Sequence, residues 1–345
     1  MKRTDLIDAL ELVSPALAAN NQIPVLSHFW FRGDRLMAYN DQISISTSLK
    51  TDFQGAVPSK FLDLLKSNRA ENVELSLEND ILLAKAASTK LRLALLPSDS
   101  FVFDMPKFTS ASDSVSEDLF AAIDNCMRSV STNNATPEQL GITLIPNGDE
   151  LNLYSTNDAT ISTSRVKAIK LEERVSLSES FCKQMLSFRK EKEPRLEISS
   201  SYSLFSAGKV MLFGRLIDSG NPLDFKKIID HHTSDGYEKN LVDVEPRLKL
   251  IMERAMIITD TNAVDRKPTL VAVKDPGRMT FYSKSDRGEC HDVLKVGENH
   301  PRVSVRIEPK YLRQGCDFSR WTVTNEAVIM TNEDESLMYL IGVTT

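Results

Sequence analysis

Gly55-Ala56-Val57-Pro58-Ser59-Lys60-Phe61-Leu62-Asp63-Leu64-Leu65-Lys66 opens the stretch on which the reading of the whole chain turns. Ala56-Val57 closes an extended segment. Pro58-Ser59 then sits where a first helical turn tolerates proline, and Phe61, Leu62 and Leu65 recur at helical spacing. Val73-Glu74-Leu75-Ser76-Leu77, Ile81-Leu82-Leu83-Ala84-Lys85 and Lys90-Leu91-Arg92-Leu93-Ala94-Leu95 follow, before the stretch ends at Phe101. The first and last of these alternate apolar with polar side chains, as half-buried antiparallel strands do, and Glu78-Asn79-Asp80 supplies a hairpin turn. One strand, one helix and three strands form a unit.

The unit repeats. Helical patterns are predicted from Thr4 to Leu17, from Pro58 to Asn68, after the cap Ser116, from Ser178-Glu179, after Val244-Glu245-Pro246 and after Ile307-Glu308-Pro309. Their starts fall about 60 residues apart, a fixed period that marks a repeat architecture. Val242-Asp243-Val244-Glu245-Pro246-Arg247-Leu248 is echoed by Val305-Arg306-Ile307-Glu308-Pro309-Lys310-Tyr311-Leu312. A longer period, about 117 residues, brings Asn40-Asp41-Gln42-Ile43-Ser44 back as Asn157-Asp158-Ala159-Thr160-Ile161-Ser162. Two units then make a domain. Three tandem domains, 1–110, 111–236 and 237–345, fill an α+β chain, with boundaries in the polar runs Thr109–Asp113 and His232–Gly236.

Composition narrows the function. The 345 residues are 41% hydrophobic and 26% charged, ordinary for a folded protein, and the net charge is −6. A nucleic-acid binder of that charge must gather its lysines and arginines on one surface. No window approaches the roughly 18 apolar residues of a membrane span, and the amino terminus leads into an acidic amphipathic helix, so no membrane partner and a cytoplasmic location are expected. Cys126, Cys182, Cys290 and Cys316 have no paired spacing and read as small buried thiols. Neither the five histidines nor any serine falls in a catalytic or phosphate-loop spacing, and His231-His232 reads as part of an exposed polar connection. Asp260-Thr261-Asn262 begins like a calcium loop but lacks its glycine and closing glutamate. No catalytic residue, metal or cofactor is expected, and the chain is read as a binding protein, not an enzyme.

Several pieces, in order along the chain, resemble the bacterial-type DNA sliding clamp, the beta subunit of the replicative DNA polymerase. They are Val13-Ser14-Pro15 through Ile23-Pro24-Val25-Leu26, Val57-Pro58-Ser59-Lys60-Phe61, Leu95-Leu96-Pro97-Ser98-Asp99-Ser100-Phe101, and Ile217-Asp218 to Asp224-Phe225-Lys226-Lys227-Ile228. The resemblance implies three DNA-clamp domains per chain and a homodimeric ring, with helices lining a pore around double-stranded DNA and antiparallel sheets outside. It also implies a replicative DNA polymerase as partner, held in a peptide groove between the second and third domains, and an ATP-dependent clamp loader. The chain departs from the family at Thr156-Asn157-Asp158-Ala159-Thr160-Ile161 and at Gly342-Val343-Thr344-Thr345, both at that groove, as a divergent or phage-encoded member would.

On this resemblance the groove wall is Leu140, Thr156, Ile161, Leu223, Lys227, Ile228, Leu340, Ile341 and Val343, suited to an extended peptide with one or two apolar anchors. The joint between chains falls to Phe101, Ile257 and Ile258. DNA-facing candidates are Lys60, Lys66, Arg128, Lys183, Lys190, Arg247 and Arg254 on the helices, while Asp8 and Glu11 break the pattern on the first. A few cations are enough, because each neutralised phosphate adds affinity and a continuous basic surface would hinder sliding. The rival reading is a β-rich repeat interaction module that never encircles DNA.

Overall fold

The computed structural model describes residues 1–19, 23–97, 103, 105–109, 112–131, 136–167, 169–218, 223–233, 237–259, 269–275, 277–286, 288–296 and 302–343. The strand–helix–three-strand unit recurs through them. The first unit has α1 (Arg3–Val13), β1 (His28–Arg32), β2 (Arg35–Tyr39) and β3 (Ile43–Ser48). The second has β4 (Gln54–Pro58), α2 (Lys60–Ser67), β5 (Glu74–Glu78), β6 (Ile81–Ala86) and β7 (Thr89–Ala94). In the third, β8 (Asp113–Ser114) and α3 (Glu117–Met127) precede β9 (Gly141–Asn147), β10 (Glu150–Thr156) and β11 (Thr160–Val166). The fourth runs β12 (Val175–Ser178), α4 (Glu179–Ser187), β13 (Arg195–Ile198), β14 (Tyr202–Ala207) and β15 (Val210–Arg215). An additional helix, α5 (Phe225–Thr233), intervenes. The fifth is β16 (Val242–Asp243), α6 (Arg247–Thr259), β17 (Thr269–Asp275), β18 (Arg278–Ser285) and β19 (Gly288–Lys295). The sixth is β20 (Ser304–Ile307), α7 (Pro309–Gly315), β21 (Arg320–Val323), β22 (Ala327–Thr331) and β23 (Leu337–Gly342).

Local chemistry sets these elements. Ser178 caps α4, its hydroxyl accepting the Phe181 N–H at 3.3 Å, and Pro309 occupies the first position of α7, where its missing N–H costs nothing. The first helix stops at Val13, not Leu17, and tightens into a 3-10 turn over Ser14–Ala16. Pro15 is the cause, since it has no N–H to extend the ladder and its ring clashes with the preceding turn. The echoed Asn-Asp sequences are one turn used twice. Asn40 Oδ1 accepts the Ile43 N–H at 3.0 Å, and Asn157 Oδ1 accepts the Thr160 N–H at 2.9 Å. Asp41 and Asp158 take left-handed backbone at φ 76° and 69°, which short polar side chains tolerate.

The chain's contacts group it into two compact units. The first comprises Met1–Ser116, Ile169–Leu171 and Leu177–Ile217, the second Glu117–Ala168, Glu172–Ser176 and Asp218–Thr345. The first unit contains an antiparallel sheet ordered β4-β1-β2-β3-β15-β14-β13-β8 and a smaller one, β5-β6-β7. The second contains β12-β9-β10-β11-β23-β22-β21-β16 and β19-β18-β17-β20. Third strands of different repeats therefore join, β3 with β15 and β11 with β23. Those of the second and fifth repeats, β7 and β19, each stand at a sheet edge.

Helices pack on the sheets through apolar stripes. In the first unit α1 buries Leu6, Leu10 and Val13, and α4 packs on β15. In the second α3 packs on β11, and α6 and α7 share a core with β18 and β21–β23. Cys126 and Cys182 are buried, whereas Cys290, on edge strand β19, and Cys316, at the end of α7, are half-buried, so the expectation of four buried thiols holds for two. His231 and His232 belong to the last turn of α5 instead of an irregular connection, and His232 is half-buried. Glu326 Oε2 lies 3.4 Å from His231 Nε2 and 3.6 Å from His232 Nδ1. Among the described residues no helix is long and apolar enough to cross a membrane.

Candidate partner groove and nucleic-acid face

Register fixes which side chains share a face. Ile161 on β11 pairs with Leu340 on β23, and Leu340 pairs with Ile329 on β22, so the three stand in a row across the sheet. Met338, two residues back along β23, joins them on that face. These residues form one apolar cluster with Ala327 and Tyr237, and Ile228, Ile229 and Leu241 pack against it. Helix α5 supplies the two isoleucines. Its first residue, Phe225, is fully buried and stacks on Tyr154 of β10 at 5.1 Å.

The structure thus brings Ile161, Ile228 and Leu340 together and distributes the other groove candidates. Ile341 alternates to the opposite face, fully buried in the core beneath α6 and α7, and Val343 packs against that same core. Thr156 is buried, its hydroxyl donating to the Thr160 carbonyl at 2.9 Å within the Asn157 turn. Leu140 follows a 3-10 turn and is 39% exposed, outside the cluster. Leu223 is half-buried just before α5, and Lys227 is exposed, its N–H held at 3.0 Å by Asp224 Oδ1. Beside α5 lies a cleft of about 570 Å³, lined by Ile145, Asn152, Tyr154, Arg174, Leu223 and Ile229 among others.

The seven basic candidates divide by what holds them. Lys66 Nζ sits 2.7 Å from Glu11 Oε1, so the acid that breaks the pattern on α1 partners a base on α2. Both are about half exposed, and the pair contributes little to stability. Arg128 donates to the Gln314 carbonyl, lies 3.9 Å from Asp317 Oδ2 and covers the Phe318 ring at 5.4 Å. Arg254 forms a forked contact with Asp292, its Nε 3.2 Å from Oδ2, and this bond raises the arginine's pKa while the Asp292 carboxyl is held below its usual value. Lys60, Lys183, Lys190 and Arg247 are exposed, with no acidic partner within salt-bridge distance among the described residues. Of the joint candidates, Ile257 is 70% exposed on α6 and Ile258 is half-buried, while Phe101 lies outside the described residues. Among the described residues no group of three or more His, Cys, Asp or Glu is arranged to hold a metal.

Neither a family model nor a curated protein matches the chain by sequence. Solved structures match its whole length. A putative DNA polymerase III beta subunit from Eubacterium rectale matches with a TM-score of 0.86 at 15% identity, covering 100% of this chain and 98% of that one. The DNA polymerase sliding clamp of Pseudomonas aeruginosa, solved with a ligand, matches at 0.84 and 16% identity over the same shares. This chain has the sliding-clamp fold. The beta sliding clamp of Caulobacter crescentus, with polyethylene glycol bound to its putative beta-motif tethering region, also matches at 0.84, at 18% identity and again over 100% and 98% of the two chains.

Sequence reasoning missed part of the apolar cluster. Met338 was reachable by stepping two residues back from Leu340 along a strand, and Ile329 by pairing that strand with its neighbour. Tyr237 and Arg174 carried no signal, because each is placed by contacts across the fold.

Proposed function

We propose that this chain is a DNA polymerase processivity factor, a sliding clamp. Two chains close a ring around double-stranded DNA and slide without reading sequence. A replicative polymerase docks through the groove on the outer face of β11, β22 and β23, and an ATP-dependent loader closes the ring on DNA. Three tandem domains of two repeats each, 1–110, 111–236 and 237–345, make up the chain, and no catalytic step is assigned to it. The observation that carries this reading is the whole-chain match to beta subunits and sliding clamps at TM-scores of 0.81–0.86.

Strand pairing supports the dimer. Third strands join in the pairs β3–β15 and β11–β23, which leaves β7 and β19 at edges. An exposed edge is a template for another strand, and a second copy of the chain offers the complementary one. Lys90 and Arg92 on β7 face solvent, as does Glu289 on β19, so opposite charges are available across such a joint. Lys60, Lys183 and Lys190, which have no salt-bridge partner among the described residues, can meet phosphates weakly, as sliding needs. Tethering works through effective concentration: a polymerase held by a short linkage sees a primer end at up to roughly millimolar concentration.

Light scattering at micromolar concentration should give about twice the 38.7 kDa chain mass. Ile257→Glu, at a 70% exposed position, should return the mass to one chain without loss of folded structure. A monomeric wild type would overturn the stable ring and favour a module that does not encircle DNA.

A further inference from the structure

Helix α5 is held differently at its two ends. At the amino-terminal end Phe225 is fully buried and stacks on Tyr154 at 5.1 Å, with the Arg174 guanidinium 5.8 Å from the ring centre. In the middle, Ile228 and Ile229 pack on the face of Ile161, Met338 and Leu340, which are at most 8% exposed. At the carboxyl-terminal end the contacts are polar. The rings of His231 and His232 meet edge to face at 5.2 Å, and both approach one carboxylate oxygen, Glu326 Oε2, at 3.4 and 3.6 Å.

Glu326 is set firmly in the turn between β21 and β22. Thr324 Oγ1 accepts the Glu326 and Ala327 N–H groups at 3.3 and 3.0 Å, and the Glu326 carbonyl accepts the Val343 N–H at 3.1 Å. The His231 and Glu326 side chains are exposed, whereas that of His232 is 22% exposed and its Nδ1 is shielded from solvent without a hydrogen-bond partner. A proton on His232 therefore sits in a half-buried place beside a second imidazole. Burial and the His231 charge lower its pKa, against the pull of Glu326. Glu335, which accepts the Tyr237 hydroxyl in the same cluster, is paired with Arg320 at 3.2 Å, and Lys227, Asp230 and Glu238 are exposed.

We infer that His231, His232 and Glu326 form a catch that acid releases: proton uptake at His232 frees the carboxyl-terminal end of α5 and uncovers Ile161, Met338 and Leu340. When the helix end lifts, His232 reaches water and its charged form is no longer opposed, so protons favour the lifted helix. Docking is complete above the ordinary imidazole pKa of about 6.5 and weakens as pH falls below it. Phe225 stays buried and serves as the hinge end. The catch stands apart from what binds the uncovered face.

Hydrogen exchange of the full chain, corrected for the intrinsic pH dependence of amide exchange, tests the catch between about pH 7.5 and 5.5. Protection of the amides from Ile228 to His232 should fall about tenfold on acidification, while the β10 and β11 amides keep theirs. H232Q should hold α5 protection constant across that range. H231Q, which removes the opposing imidazole, should shrink the fall, and E326Q, which removes the charge that favours the proton, should enlarge it. The His232 imidazole titration, followed by NMR, should share its midpoint with the α5 change. A fall that survives H232Q, equal falls in α5 and β10, separate midpoints or no fall at all would overturn the catch. If H232Q has already lost α5 protection at the higher pH, the other two variants decide, and changes of the same sign in H231Q and E326Q would overturn it.

Discussion

The molecule uses one seam twice, and the two copies differ in what covers them. In the first unit β3 joins β15, and in the second β11 joins β23, each after the same Asn-Asp turn. On the first seam Phe103 and Met105 lie against side chains of the sheet. Phe103 stacks on Tyr39 at 4.6 Å and leans on Phe213 at 4.8 Å, and Ser46 donates to the Met105 sulfur at 3.8 Å. The second seam is covered by α5, which offers Phe225, Ile228 and Ile229 along one stripe. A short helix touches a sheet along a line and leaves a cleft at its side. The second seam thus carries a cleft beside α5, a candidate docking surface.

Substitutions can break this comparison. Phe225→Ala should have the largest effect, a loss of about 3–4 kcal/mol in denaturant unfolding, because a fully buried ring that anchors α5 is removed. Phe103→Ala removes a half-buried ring and should cost about 1–2 kcal/mol, so equal costs would contradict the contrast between the two covers. Next come the glycines that end the two seam strands. A Cβ at Gly214 would lie 2.5 Å from the Phe181 ring, and Gly214→Ala should destabilise by about 1–3 kcal/mol. At Gly342 the nearest neighbour is 3.5 Å away, and alanine should be nearly neutral in the same assay.

Asn125 sharpens the contrast from the inner side. Its amide donates to the Thr163 carbonyl and the Ser164 hydroxyl, each at 3.0 Å, within a polar seam between α3 and β11. Asn125→Ala should therefore cost about 1–2 kcal/mol, measured by thermal unfolding. The smallest effect is a pH dependence. Burial lowers the pKa of His28 in the first unit and, with the neighbouring His231 charge, of His232 in the second. The unfolded chain then binds more protons than the folded one below about pH 6.5, so the melting temperature should fall as pH drops from there toward the lowered values. His232→Gln should flatten the part of that slope that comes from the second unit.

The repeat was legible because its signals are local. Period-2 strands, capped helices and the Asn40 and Asn157 turns are all written in neighbouring residues. Helix α5 was not, since Phe225, Ile228 and Ile229 are spaced among charged residues that read equally well as a connection. The partners of the basic side chains were also hidden. Helical periodicity gives a face, but nothing near Lys66, Arg128 or Arg254 in sequence announces Glu11, Gln314 or Asp292. Arg128 is the extreme case, since the carbonyl it donates to lies 186 residues away.

Retention on circular DNA tests the central claim most directly. The protein is loaded with a bacterial clamp loader and ATP onto a nicked circular plasmid, freed of unbound chain by gel filtration, and the plasmid is then cut once. The protein should co-elute with the circle and leave once the DNA is linear. Equal retention on circular and linear DNA would contradict a topological clamp.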